Sequence, residues 1–274
     1  MNRVILASVV AVALLASAVG AGASVTLYGT DVVNRNLYRI DTGTWDVTLV
    51  GFHAVPSGFC GLAYDLGQDR LLGITRYTTA KLYSIDTNTA AATLIGSLGV
   101  GYVYEGGLVM DQERGIMYGA NAGSDEDPQI FTVNPLNGSG TIIGRVGVGP
   151  HDFAGLAFGP DGGLYGLDRV TNAVWKIDTA DTDGAGTYQI GSGLGAGIEM
   201  GPVGGMTADD FGNVYGYASG SHQVFSIDLE TGAATVLHSF GPDVPVFYAL
   251  AYGGGAPSPV EETSWTSIKA LFAR

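Results

Sequence analysis

The side chains in this sequence best suited to chemistry are His53, Arg76, Glu105, His151, Asp152, Asp168, Arg169, Glu199 and His222. Imidazoles and carboxylates move protons near neutral pH, and arginines clamp oxygen-rich ligands. Glu105, His151 and Asp152 are the candidates for acid–base work. Arg76, Asp168, Arg169, Glu199 and His222 are the candidates for holding a ligand. His151-Asp152 and Asp168-Arg169 are sequence neighbours, and each couple also reads as a polar loop without a catalytic task. Asp178, Asp181 and Asp183 with Gly184, and Asp125-Glu126-Asp127, are oxygen-rich stretches that would suit calcium. Neither has EF-hand spacing, so no cofactor is predicted and calcium stays open as the one ion to test.

Other chemistries lack their marks. The histidines at 53, 151, 222 and 238 show no paired spacing for zinc, and Cys60 is the only cysteine. Beside Gly61-Leu62-Ala63-Tyr64, Cys60 is expected to be a packed thiol. There is no GxSxG elbow and no GxxxxGK[ST] loop. Gly191-Ser192-Gly193 and Gly195-Ala196-Gly197 follow strands rather than opening a helix, so they read as loop glycine.

The elements that must position these residues repeat. A hydrophobic residue followed by Asp or Asn recurs at Ile40-Asp41, Ile85-Asp86, Val133-Asn134, Ile177-Asp178 and Ile227-Asp228, in steps of 45, 48, 44 and 50 residues. Each landmark ends a strand that carries an aromatic residue: Tyr38, Tyr83, Phe131, Trp175 or Phe225. Upstream lies a strand ending in glycine, as in Leu27-Tyr28-Gly29 and Leu164-Tyr165-Gly166. Earlier still is a strand of small residues, beginning at Gly61, Gly107, Gly155 or Gly205. A last strand follows each landmark. Asp, Asn and Thr at the landmark offer turn chemistry, and alternating aromatic and β-branched residues suit a pleated sheet. Four strands, a to d, in roughly 45 residues are the content of a propeller blade.

The unit at 25–51 lacks strand a, and Phe247-Tyr248-Ala249-Leu250-Ala251-Tyr252 is a strand a without a blade. Pairing them completes the ring and removes an exposed edge. The expected fold is all-β: a five-bladed β-propeller closed by pairing the C-terminal strand with the N-terminal blade.

The LYxID…T(L/I)xG units at 37–51, 82–96 and 224–237 resemble repeats of secreted bacterial propellers in the broad YVTN/NHL/quinoprotein-like superfamily. The resemblance spans roughly 25–254. It implies architecture, because such propellers bind ligands, scaffold partners or catalyse unrelated reactions.

The ends differ from the repeats. Residues 1–23 carry Arg3, an apolar run at 4–15 and small-residue sites, and are expected to be a signal peptide cleaved near Ala23. The protein is then periplasmic or extracellular, without a membrane span. Residues 24–255 form the propeller. Residues 256–274 are a proline-marked linker and a short tail with Trp265, Ile268, Leu271 and Phe272 at helical spacing, read either as a sorting or docking tail or as a small cap. Loss of Arg3 leaves 11 basic against 26 acidic residues, which argues against nucleic acid and anionic membranes as partners. A monomer is expected.

Strand direction alternates, so a–b and c–d turns share one rim and b–c and d–a loops the other. The first set is short, as at Gly159-Pro160-Asp161-Gly162; the second is longer and irregular. The site is therefore expected on the b–c/d–a rim and at the mouth of the channel. Glu105 draws attention there, since its counterparts at the entry to strand a are Phe59, Phe153, Val203 and Phe247. The leading expectation is a binding or interaction propeller for a glycan, small molecule or protein. The alternatives are a hydrolase or lyase for a carbohydrate or lactone using Glu105 with His or Asp on that rim, and a structural surface or matrix component.

Overall fold

The computed structural model describes residues 24–104, 106–121, 128–146, 151–180 and 182–254. Glu105, Asp181, the Asp125-Glu126-Asp127 stretch, the N-terminal segment and the C-terminal tail lie outside the described residues.

Five four-stranded antiparallel sheets form the blades. The first holds β1 (Thr26–Asp31), β2 (Asn36–Asp41) and β3 (Val47–Phe52). The second is β4 (Phe59–Asp65), β5 (Arg70–Thr75), β6 (Lys81–Ile85) and β7 (Ala92–Ser97). The third is β8 (Leu108–Asp111), β9 (Ile116–Ala120), β10 (Gln129–Val133) and β11 (Gly140–Arg145). The fourth is β12 (Phe153–Phe158), β13 (Leu164–Asp168), β14 (Ala173–Ile177) and β15 (Tyr188–Ile190). The fifth is β16 (Gly204–Ala208), β17 (Val214–Ala218), β18 (Gln223–Ile227) and β19 (Ala234–Ser239). The last strand, β20 (Ala249–Tyr252), returns to the first blade and pairs Leu27 with Tyr252 and Thr30 with Ala249. The expected closure is thus the one observed.

The landmark residues are turn caps. Asp86 Oδ1 accepts the Asn88 and Thr89 amides at 2.9 and 2.8 Å, and Asp228 Oδ1 accepts those of Glu230 and Thr231 at 2.8 and 3.1 Å. Asp41, Asn134 and Asp178 do the same in their blades. This local bonding fixes the c–d hairpins and explains why Asp or Asn recurs. Cys60 is buried, its thiol 3.7 Å from the Ile74 carbonyl oxygen.

The innermost strands touch backbone to backbone. A Cβ on Gly61 would lie 2.8 Å from the Gly106 carbonyl oxygen, and one on Gly205 would lie 2.6 Å from the Leu250 amide nitrogen. Gly107 and Gly155 meet the next strand as closely, so glycine here permits close approach of neighbouring blades around the axis.

A second glycine, in strand b, sits under one phenylalanine per blade. In three blades the ring comes from the entry to strand a: Phe247 over Gly29, Phe59 over Gly73 and Phe153 over Gly166. In the other two it comes from strand c: Phe131 over Gly119 and Phe225 over Gly216. Those are the blades whose entry residues are Glu105 and Val203. The slot is filled once either way.

Candidate functional site

The b–c loop of the second blade and the d–a loop that leaves it are tied together. Tyr77 and Val103 form a β-bridge, with the Tyr77 amide donating to the Val103 carbonyl at 2.5 Å. Tyr77 takes φ +78°, a left-handed conformation that a bulky residue adopts only where its surroundings hold it. The bridge gathers Tyr77, Tyr102 and Tyr104 on the surface, 44, 45 and 37% exposed. Tyr102 and Tyr104 are stacked at 6.0 Å with their planes 8° apart, and Tyr77 tilts against both. Arg76 is buried beneath them. Its Nε donates to the Tyr104 carbonyl at 3.2 Å, and its guanidinium carbon lies 4.6 Å from the Tyr104 ring centre, 5.4 Å from Tyr77 and 5.7 Å from Tyr248. Such cation–π contacts hold a guanidinium in place beneath the rings.

A second constellation lies at the loop end of the fourth blade. His151, Asp152, Asp168 and Arg169 come together there, but not as sequence couples. His151 Nδ1 is 3.0 Å from Asp168 Oδ2, and Asp152 pairs with Arg169. Asp168 is fully buried and accepts four donors. The Asp152 and Val170 amides reach Oδ1 at 2.9 and 3.0 Å; His151 and the Thr171 hydroxyl reach Oδ2. Burial opposes its charge, yet these hydrogen bonds outweigh burial and hold its carboxyl below the usual range. Asp168 holds Nδ1 of the His151 ring, so Nε2 points away from the carboxylate. That Nε2 is buried and has no hydrogen-bond partner among the described residues. Trp175 stands edge-on to the imidazole at 4.4 Å and donates Nε1–H to Thr171 at 2.9 Å. For Asp152, burial pushes the carboxyl up, and Arg169 only partly offsets this.

The remaining candidates stand apart. His53 is buried between Phe52 and Phe59; its Nδ1 accepts the Val55 amide at 3.2 Å. His222 Nε2 lies 3.4 Å from the Pro245 carbonyl oxygen, and Glu199 is an exposed loop residue whose amide bonds Ser221. Asp178 is engaged in its turn and Asp183 is exposed on the tight-turn rim. Among the described residues no group of three or more His, Cys, Asp or Glu side chains is arranged to hold a metal ion.

His53 gives a pH prediction. Burial lowers its pKa from 6.5 to about 4, with the Asp31 charge opposing and Arg35 assisting. The unfolded chain therefore binds the extra proton first. Stability is complete above pH 6.5 and falls as pH drops towards 4. The loss is about 1–2 kcal/mol once solvent screening at this rim is allowed for. Urea unfolding between pH 7 and 4 should show this decline, and His53→Leu should flatten that part of the curve. An unchanged slope in the variant would remove His53 as its source.

Residue type alone does not single out these tyrosines. Their signal was present in Gly101-Tyr102-Val103-Tyr104, where alternate residues of one extended loop share a face.

Comparison with known proteins places the architecture. No protein-family model matches the chain, and no curated protein matches its sequence. Solved structures do match in shape. A chain of a nidogen/laminin complex aligns with a TM-score of 0.52 at 16% identity, over 84% of this chain and 86% of that one. A Bacteroides thetaiotaomicron protein of unknown function gives 0.57 at 19%, over 87% of this chain and 64% of that one. A Xanthomonas campestris gluconolactonase gives 0.53 at 16%, over 81 and 78%. Regucalcin, a calcium-binding protein of Agrobacterium tumefaciens, gives 0.52 at 16%, over 90 and 85%. At these identities the likeness shows the fold alone: this chain is a β-propeller, with five blades.

Proposed function

We propose that the protein is a glycan-binding propeller whose site is the tyrosine platform around Arg76. The observation that carries this reading is the set of three exposed tyrosine rings held over a buried arginine by a bridge between two loops. Sugar rings present flat C–H faces edged by hydroxyls. An exposed aromatic face covers the first, and tyrosine hydroxyls bond the second. Tyr and Arg also dominate the energetics of recognition surfaces generally.

A glycan array probed with the purified protein should give a saturable ligand. Tyr102→Ala with Tyr77→Ala should weaken it at least about tenfold, near 1.4 kcal/mol, without changing the melting temperature. No bound glycan, or equal binding by the double variant, would overturn the reading.

A second reading is favoured by one observation, the buried His151 Nε2 that has no hydrogen-bond partner among the described residues, on a ring held by Asp168. A histidine held by a carboxylate is a candidate general base, and one structural neighbour is named a gluconolactonase. Lactone turnover by the same preparation, lost in His151→Gln, would favour hydrolysis over binding.

A further inference from the structure

We propose that the protein carries a second binding site at the opposite end of the axis, for a small organic cation. A cavity of about 130 Å³ opens on the tight-turn face. Every blade contributes to it through the end of its innermost strand: Tyr64 from β4, Met110 from β8, Phe158 from β12, Ala208 from β16 and Tyr252 from β20. The site is therefore axial. Deeper along the axis, the glycines of the innermost strands bring neighbouring backbones into contact. The result is a half-open funnel on the axis, on the rim that carries the tight turns.

Its chemistry is one-sided. Leucine, methionine and aromatic side chains form the wall, and two carboxylates, Asp209 and Asp210, stand at its mouth. Among the described residues no lysine, arginine or histidine lines it. The neighbouring arginines are held elsewhere: Arg70 on Asp65 at 3.0 Å and Arg114 on Asp111 at 2.8 Å. Asp209 is occupied structurally. It accepts the Phe211 and Asn213 amides at 2.9 and 2.8 Å, and the Asn213 side chain and Tyr215 hydroxyl at 2.8 and 3.0 Å. Other polar groups are similarly used, since Thr207 Oγ1 accepts the Tyr252 amide and Gln112 bonds Leu66 and Tyr64. Asp210 differs. Its Oδ2 accepts the Tyr252 hydroxyl at 3.1 Å, and no residue among those described bonds Oδ1.

A funnel walled in part by apolar and aromatic side chains, with one available carboxylate, suits an ammonium group on a short apolar body. Tyr64, Phe158 and Tyr252 line the funnel and offer cation–π attraction to the ammonium group. An anion would meet two carboxylates with no counter-charge. A neutral isostere would fill the same space without the ionic contact.

Choline and its neutral isostere 3,3-dimethylbutanol make the decisive pair of probes, titrated at low salt by calorimetry against the purified protein. Choline is expected to saturate, with dimethylbutanol at least about tenfold weaker. Asp210→Asn should weaken choline by a similar factor, and Ala208→Phe, which fills the funnel, should abolish it. Tyr102→Ala should leave choline binding unchanged, which separates this site from the tyrosine platform. The proposal falls if choline shows no saturable heat to about 10 mM, if dimethylbutanol binds equally, or if Ala208→Phe binds as the parent does.

Discussion

A chain ended at Val246 will not fold. It loses Phe247 and β20, the strand that closes the ring. Phe247 is fully buried against Tyr38, Tyr217 and Phe240, with ring centres 5.8, 5.3 and 5.9 Å away. Leu250 and Tyr252 are also buried. Burial of these three side chains contributes roughly 5–9 kcal/mol, against about 5–15 kcal/mol for the whole stability of a domain. The deletion also leaves β1 as an inner edge with its amides and carbonyls unpaired, a template for association. Circular dichroism should show no cooperative thermal transition, and size-exclusion chromatography should show aggregates. A chain ended at Gly254 keeps every described strand and should melt as the full protein does. A truncated chain that unfolds cooperatively within a few degrees of the parent would show that the terminal strand is dispensable.

Gly155→Val should be strongly destabilising without preventing folding. A Cβ at this position would lie 2.6 Å from the Gly205 carbonyl carbon and 2.7 Å from the Met206 Cβ, and closer still to the Met206 amide nitrogen. The obstacle is mostly backbone, which no rotamer change can move. The variant must push the fourth and fifth blades apart at the axis, and the strain spreads around a closed ring. Overpacking at a rigid site costs about 3 kcal/mol or more, which lowers the melting temperature by roughly 6–12 °C in a domain of this size. Gly162→Ala is the comparison. That residue has φ +72° but nothing within 4 Å of a Cβ, so its cost is conformational alone, about 1 kcal/mol. Equal melting shifts in the two variants would mean that the axial contact is not tight.

The two experiments address the scaffold, and the scaffold governs which site residues meet. His151 and Asp168 are 17 residues apart and Arg76 and Tyr104 are 28 apart. Neither distance is a multiple of the blade repeat. Each pair forms because a d–a loop crosses from one blade to the next and lands beside a b–c loop. Proximity in sequence pointed to His151-Asp152 and Asp168-Arg169. The fold exchanges partners, since β12 and β13 are antiparallel neighbours and bring the start of one beside the end of the other. Asp152 and Asp168 then share the Asp152 amide contact, leaving the two side-chain pairs to separate.

Blade number, strand order and ring closure were legible in the chain by itself. Each rests on local, repeated physics: alternation along a strand, a carboxylate capping the turn that follows, and glycine where strands crowd. The orphan strand at the C-terminus could be assigned for the same reason, because an incomplete repeat at one end has one complement at the other. Only the tertiary structure decided the sites. The tyrosine platform depends on a bridge between two loops, and the axial funnel on five strand ends converging from five repeats. The partners of His151 and Asp152 depend on the packing of adjacent strands. These arrangements join residues whose separations carry no period, so a one-dimensional pattern holds no record of them. The irregular residues could be identified as candidates, but their grouping is a property of how the blades close.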